Sequence, residues 1–164
     1  RGWHLDEAHL RRVAIAEPGR LDSLHPENCH PARLQLRQPR VKIVLAERQG
    51  VLVGWLSAYR PPRAPETVFV WQVAVHPAAR GRGLARRMLC ELLARPALAG
   101  VCFLETTVSP DNLASRRVFA GVAKACAAPV TEHSLFPTQL FGGADHEDEP
   151  LLRIGPLSRQ RTAA

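Results

Sequence analysis

Aromatic residues are scarce: Phe, Trp and Tyr together make up 5% of the 164 residues. So few aromatic faces give poor support to a base-stacking surface, and hence to nucleic-acid binding. The formal net charge of +7 suggests such a partner at first. The arginines, however, are spread along the chain, with one local concentration between Arg80 and Arg95. No apolar run approaches the roughly 20 residues needed to span a bilayer. The opening stretch is too polar for a secretory signal. Its start on Arg1 leaves open a trimmed beginning and a missing N-terminal strand. Cysteines are few and unpaired in spacing: Cys29, Cys90, Cys102 and Cys126. With no signal peptide they read as reduced thiols of a cytoplasmic protein without disulfides. His25, Cys29 and His30 match no standard metal-ligand spacing, so no metal is expected. Repeats and low-complexity segments are absent as well.

What is present is an ordinary globular composition, 46% hydrophobic and 23% charged. The length suits a single domain over 1–164, with 158–164 as a frayed tail. The chain is organised around Thr67 to Arg95. Phe69, Trp71, Val73 and Val75 alternate onto one face of an extended segment, and Val68, Val70 and Ala74 make the other face apolar too. Such a segment predicts a central strand buried on both faces. His76-Pro77 ends it, because proline donates no ladder hydrogen bond and biases its predecessor to extended geometry. Beyond Gly83 the period becomes helical, through Leu84, Ala85, Met88, Leu89, Leu92 and Leu93. The joint is Arg80-Gly81-Arg82-Gly83-Leu84-Ala85. A glycine-rich turn opening a helix offers amide N–H groups without intrahelical acceptors, and arginines add charge, so the joint suits a phosphate. It is neither a P-loop nor the dinucleotide fingerprint, since the required spacing is missing. The plain alternative is a solvated, arginine-rich helix start.

Elsewhere the pattern predicts an amphipathic helix over Leu5 to Glu17, stopped by Pro18-Gly19. A proline- and histidine-rich run to about Pro39 reads as a loop with one weak helix. Val41 to Ala46 and Val51 to Tyr59 form a hairpin around Gln49-Gly50. A proline-stiffened connector from Arg60 to Pro65 leads into the central strand. Val101 to Val108 is the next strand, Ser109-Pro110-Asp111-Asn112 is a turn and helix start with an N-cap side chain available, Leu113 to Ala125 is the helix, and Pro129 to Phe141 is irregular or a short strand. Gly142-Gly143 is a break before an acidic cluster, His146-Glu147-Asp148-Glu149. Leu151, Leu152 and Ile154 mark a final strand. Helices alternating with strands in the second half predict a mixed α/β sheet covered by helices.

The joint matches the Arg/Gln-x-x-Gly-x-Gly/Ala signature of the GCN5-related N-acetyltransferases, with Arg80, Gly83 and Ala85 at the key positions. Longer stretches resemble one subfamily, the L-2,4-diaminobutyric acid acetyltransferases of ectoine synthesis. They are Phe69 to Val75, Leu104 to Val108 with Asn112 and Ser115, Phe141-Gly142-Gly143 leading to Glu149, and Arg153-Ile154-Gly155-Pro156; Leu21-Asp22 matches as well. The resemblance implies a mostly antiparallel mixed sheet flanked by helices, acetyl-coenzyme A as cosubstrate, diaminobutyrate as acceptor, a role in osmoprotection and a homodimer. It implies coenzyme A contacts from Val73, Val75, Arg80, Gly81, Arg82, Gly83, Leu84, Ala85, Asn112 and Ser115. Phe119 stands where the family often has the Tyr that protonates the departing thiolate. The family's segment after Leu-Asp is hardly recognisable between Ser23 and Pro39.

The implied reaction is attack of a neutral amine on a thioester. Backbone N–H groups at Val73 to Val75 are placed to meet the oxyanion. Diaminobutyrate carries two ammonium groups, and Asp22, Glu147 and Glu149 are the candidate acids, with Trp71 as a candidate aromatic face. A solvated acidic loop and a plain core tryptophan are the respective alternatives. For the base, Glu105 is a candidate because burial raises a carboxyl's pKa. His146 or a water chain serves equally, and Glu105 alternatively only stabilises the sheet. Acetylation of another small amine, and a basic nucleic-acid-binding domain, are the competing functions.

Overall fold

The computed structural model describes residues 9–13, 41–48, 51–136 and 149–158. Expectations for Asp22, for His25, Cys29 and His30, for Gln49-Gly50, and for Gly142-Gly143, His146 and Glu147 lie outside the described residues. The chain divides into two compact units, one of Arg1–Arg60 with Val70–Ala99 and one of Pro61–Phe69 with Gly100–Ala164.

The first unit holds strands β1 (His9–Val13), β2 (Val41–Arg48), β3 (Val51–Tyr59) and most of β4 (Thr67–Val75), hydrogen-bonded in that order. β2 and β3 pair antiparallel from Val41↔Tyr59 to Arg48↔Val51, the hairpin that the spacing predicts. The first element differs from expectation. Where a helix was predicted over Leu5 to Glu17, His9–Val13 is a strand paired antiparallel with β2, Leu10 opposite Ala46. Its apolar stripe was short, and the open edge of β2 offers a row of backbone partners; non-local pairing overrides a weak local preference. Helix α1 (Leu84–Leu93) covers this unit's core with Leu84, Met88, Leu89 and Leu92, each 3% exposed or less. Each such side chain stabilises the fold by about 1.5–3 kcal/mol. Its stripe lies on the face of β2 and β3 that carries Ala46 and Gly54, where a Cβ on Gly54 would come 3.1 Å from Met88 Cε. The buried Val44 and Leu56, paired across the two strands, share that face. Arg95, just past the helix, is itself buried and donates from Nη1 to the Ile43 carbonyl at 2.8 Å.

The second unit orders its strands as the start of β4, then β5 (Phe103–Thr107), β7 (Glu149–Ile154) and β6 (Val130–Phe136). The β4–β5 pairing is parallel; β5–β7 and β7–β6 are antiparallel. Helix α2 (Leu113–Ala125) has the predicted limits, because the Asn112 side chain accepts from the Ser115 N–H at 3.1 Å and so fixes its start. Phe119, Val122 and Ala123 of α2 are buried, as are Leu104, Thr106, Leu152 and Ile154 on one face of the strands.

β4 has a neighbouring strand on each side, as predicted. The burial predicted for both of its faces does not hold along the strand. Val68 and Val70 are fully buried, whereas Trp71 is 54% exposed. Apolar residues on both faces read as burial on both, yet the face of Phe69, Trp71, Val73 and Val75 is only partly covered.

Candidate active site

Just past β4, the His76 backbone N–H donates to the Val53 carbonyl at 2.8 Å. A one-turn helix, Pro77–Ala79, follows, and the His76 ring Nδ1 accepts from the Ala78 N–H. Arg80 then turns back, its Nε donating to the Val75 carbonyl at 3.1 Å. Gly81 and Gly83 adopt left-handed conformations, φ 73° and 72°, which aim the chain into α1. A Cβ at either glycine would meet nothing within 4 Å. Among the described residues, no acceptor engages the backbone N–H groups of Gly81 through Arg86; the first helical bond runs from Arg87 N–H to the Gly83 carbonyl. The corner is therefore open and rich in unengaged donors, with no acidic residue in the helix's first turn. A diphosphate fits this site, as donors and helix dipole both favour an anion. Arg82 and Arg86 make no hydrogen bond or ion pair among the described residues. The arginines predicted here thus divide: Arg80 closes the turn and Arg95 anchors the helix to β2, while Arg82 and Arg86 remain disposable for a ligand.

Upstream on the same strand, Trp71 lies against Tyr59, ring centroids 5.9 Å apart and tilted by 54°. More than half of Trp71 faces solvent, so it is not a core tryptophan. Tyr59 is the chain's single tyrosine, and the sequence reading did not single it out.

In the second unit, the pairing of β4 with β5 covers Thr67↔Phe103, Val68↔Leu104 and Phe69↔Glu105 and stops there, although β4 runs on to Val75 and β5 to Thr107. Asn112 uses its side-chain oxygen to cap α2, and the Ser115 backbone N–H is the group it engages. Phe119 is 4% exposed and carries no exchangeable proton. Glu105 accepts a hydrogen bond from Arg153 Nη1 at 2.8 Å, and the Arg153 guanidinium carbon sits 3.8 Å from the centroid of the Phe103 ring. Arg153 belongs to a segment that carried the family resemblance, yet its pairing was not foreseen; the partners lie 48 positions apart. Glu149 begins β7.

A strand, a glycine turn with unengaged amides and a helix thus form a corner suited to an anion. The chain belongs to the acetyltransferase (GNAT) family, whose profile matches residues 7–122 and so crosses both units. The fold is the GNAT one, a mixed sheet flanked by helices. Among its relatives is the L-2,4-diaminobutyric acid acetyltransferase of Bordetella parapertussis, 54% identical over 70% of this chain and 62% of that one. That of Halomonas elongata is 45% identical over 70% of this chain and 59% of that one. The aligned chain thus spans about three fifths of these curated relatives. A solved structure, the diaminobutyrate acetyltransferase of Paenibacillus lautus in complex with its substrate L-2,4-diaminobutyric acid and coenzyme A, is 39% identical. It superposes with a TM-score of 0.76 over 94% of this chain and 98% of that one.

Proposed function

We propose that the chain transfers acetyl from acetyl-coenzyme A to the 4-amino group of L-2,4-diaminobutyrate, a step in ectoine synthesis, and that both units together form one acetyltransferase domain. The observation that carries this reading is the run of unengaged amide N–H groups from Gly81 to Arg86, opening onto empty space at two left-handed glycines. Such a run selects a diphosphate, and likeness to the Paenibacillus lautus enzyme directs the choice of amine.

Gly81, Arg82, Gly83, Leu84 and Ala85 bind the diphosphate through their amides, with Arg82 adding charge. Bound this way, acetyl-coenzyme A supplies an activated acyl group. Val73 and Val75 on β4 contribute backbone N–H groups to the pantetheine and to the oxyanion. Asn112 and Ser115, at the start of α2, complete the cofactor's contacts. Trp71 presents an exposed indole face to the substrate's ammonium groups. Asp22, Glu147 and Glu149 are the acids of this reading.

The ammonium first loses a proton, the neutral amine forms the C–N bond to give the tetrahedral oxyanion, and the C–S bond then breaks to release the thiolate. One oxygen of Glu105 is committed to Arg153. Its other oxygen is not so committed, and proton removal falls to Glu105, His146 or a water chain. Phe119 has no proton to give, so solvent protonates the departing thiolate. The reading includes a cytoplasmic homodimer; solution mass checks the oligomeric state. Among the described residues no helix is long and apolar enough to cross a membrane.

The test is coenzyme A release from acetyl-coenzyme A across a panel of amines, with NMR of the product. Turnover with diaminobutyrate and acetylation at the 4-position are expected. Turnover only with a polyamine or a peptide would overturn the choice of acceptor.

A further inference from the structure

The sheet of the second unit has two unlike faces. Leu104, Thr106, Leu152 and Ile154 point into the core. Residues directly opposite one another in antiparallel strands share a face. The registers Glu105↔Arg153↔Thr131 and Thr107↔Leu151↔His133 therefore place Glu105, Thr107, Arg153, Thr131 and His133 together on the other face. On that face Arg153 and Glu105 form a pair whose charges are side by side, with side-chain exposures of 33% and 13%.

This pair is held rather than merely formed. The Arg153 guanidinium lies 3.8 Å above the centre of the Phe103 ring. The ring keeps its place because position 155 has no side chain: a Cβ on Gly155 would lie 2.5 Å from Phe103 Cδ1 and 2.7 Å from the Cys102 carbonyl. Only one of the five guanidinium N–H donors is used on Glu105, through Nη1. The second carboxylate oxygen of Glu105, Oε2, has no partner among the described residues. A fixed cationic fork thus stands beside an unengaged anionic oxygen, partly open to solvent. An α-amino acid carries the complementary pair, a carboxylate next to an ammonium.

We propose that Arg153 and Glu105 clamp the amino-acid end of the acceptor. Arg153 takes the α-carboxylate through its remaining N–H groups, and Glu105 Oε2 takes the α-ammonium. The clamp makes an α-amino acid, rather than a simple diamine, the preferred substrate and leaves the distal amine as the group to be acylated. This rests on the reading of the chain as an amine acetyltransferase. It gives Glu105 a substrate-holding role in place of proton removal. Arg153→Gln keeps a stem over Phe103 but loses the fork; a lysine there keeps the charge without bidentate geometry.

The experiment measures kcat/KM for diaminobutyrate, for 1,3-diaminopropane, which lacks the carboxylate, and for 4-aminobutyrate, which lacks the α-amine. It uses the full chain and the variants Arg153→Gln, Arg153→Lys and Glu105→Gln, with thermal unfolding as a check on folding. The preference of the unmodified protein for diaminobutyrate over 1,3-diaminopropane is expected to fall about 10- to 100-fold in Arg153→Gln, and by less in Arg153→Lys. Its preference over 4-aminobutyrate is expected to fall similarly in Glu105→Gln, through the KM for the amine. Variants that lose activity equally towards all three amines would overturn the clamp and leave only a structural ion pair. Unfolding of Arg153→Gln leaves the decision to Arg153→Lys and Glu105→Gln, in which charge or acceptor is kept. Absence of acetylation of any amine by the unmodified protein would instead remove the parent reading.

Discussion

Arg80 donates from Nε to the carbonyl of Val75 at 3.1 Å, which ties the residue that opens the glycine turn to the end of the strand before it. The family's signature arginine thus holds the turn's shape in addition to any charge it lends. Arg82 and Arg86 have no such tie. Salt separates the two modes of action, because exposed charges are screened while a local hydrogen bond is much less so. Arg80→Ala should raise the KM for acetyl-coenzyme A about 10-fold at both low and high ionic strength. The double variant Arg82→Gln/Arg86→Gln should raise it mainly at low salt, with the difference from the parent shrinking near 1 M. Titration of coenzyme A at two salt concentrations checks both; parallel salt dependence in the two variants would contradict the division.

Gly83 sits at φ 72° in open space, so a side chain there strains the backbone without a clash. Gly83→Ala should cost about 1–2 kcal/mol of stability through that strain. Gly83→Asp adds a negative charge beside the proposed diphosphate. Its coenzyme A affinity should fall at least about 100-fold, well beyond the loss in Gly83→Ala, in protein that still unfolds cooperatively. Equal affinity losses in the two variants would mean that conformation alone matters at this position.

How much of this was legible in the sequence depended on how local the determining forces are. The joint between β4 and α1 could be read because proline, glycine and a change of period coincide within a few residues. The limits of α2 could be read from the turn Ser109 to Asn112, because the cap, which Asn112 supplies, forms within the helix's own first turn. β1 could not, since its conformation is set by the edge of β2, more than thirty residues away in sequence. Apolar residues on both faces of β4 read as burial on both, and nothing near Trp71 in sequence says whether a further layer covers its face, which is 54% open at that residue. The Glu105–Arg153 pair depends on the register of β5 against β7, which no local pattern encodes.

Trp71 offers a direct check on its exposed placement. With 54% of it in solvent and one tilted contact to Tyr59, Trp71→Ala should alter stability by no more than about 1.5 kcal/mol. A core tryptophan would cost about 3–5 kcal/mol. The KM for the amine should rise about 3- to 30-fold from loss of the cation–π face. Denaturant unfolding and steady-state kinetics on one preparation give both numbers, and a large stability loss with an unchanged KM would return Trp71 to the core.

Cys90 lies one turn after Arg86 on α1, and burial pushes its thiol above the usual 9.0, with Arg86 opposing in part. The folded-state value exceeds the unfolded one, so this group's contribution to stability is complete below about pH 9 and is lost as pH rises through the folded-state value. Peptide mapping after iodoacetamide treatment at pH 7.5 should find Cys90 alkylated more slowly than a free thiol. Rapid labelling of the native protein would show an activated thiolate.

Phe119 occupies the position from which relatives of this type are expected to return a proton to the thiolate. In this chain it is 4% exposed, on the buried side of α2 with Val122. Adding a hydroxyl there places a polar group in the core, at a cost of about 1–3 kcal/mol unless it finds a partner. Phe119→Tyr is therefore expected to lower the unfolding midpoint and to leave kcat unimproved, because the proposed reaction takes that proton from solvent. The decisive measurement pairs a melting curve with kcat across pH 6 to 10. A variant of intact stability, with a raised kcat and a new alkaline limb in that profile, would place the ring edge at the departing sulfur. Proton return would then be a function that this chain has lost rather than one that it performs by another route.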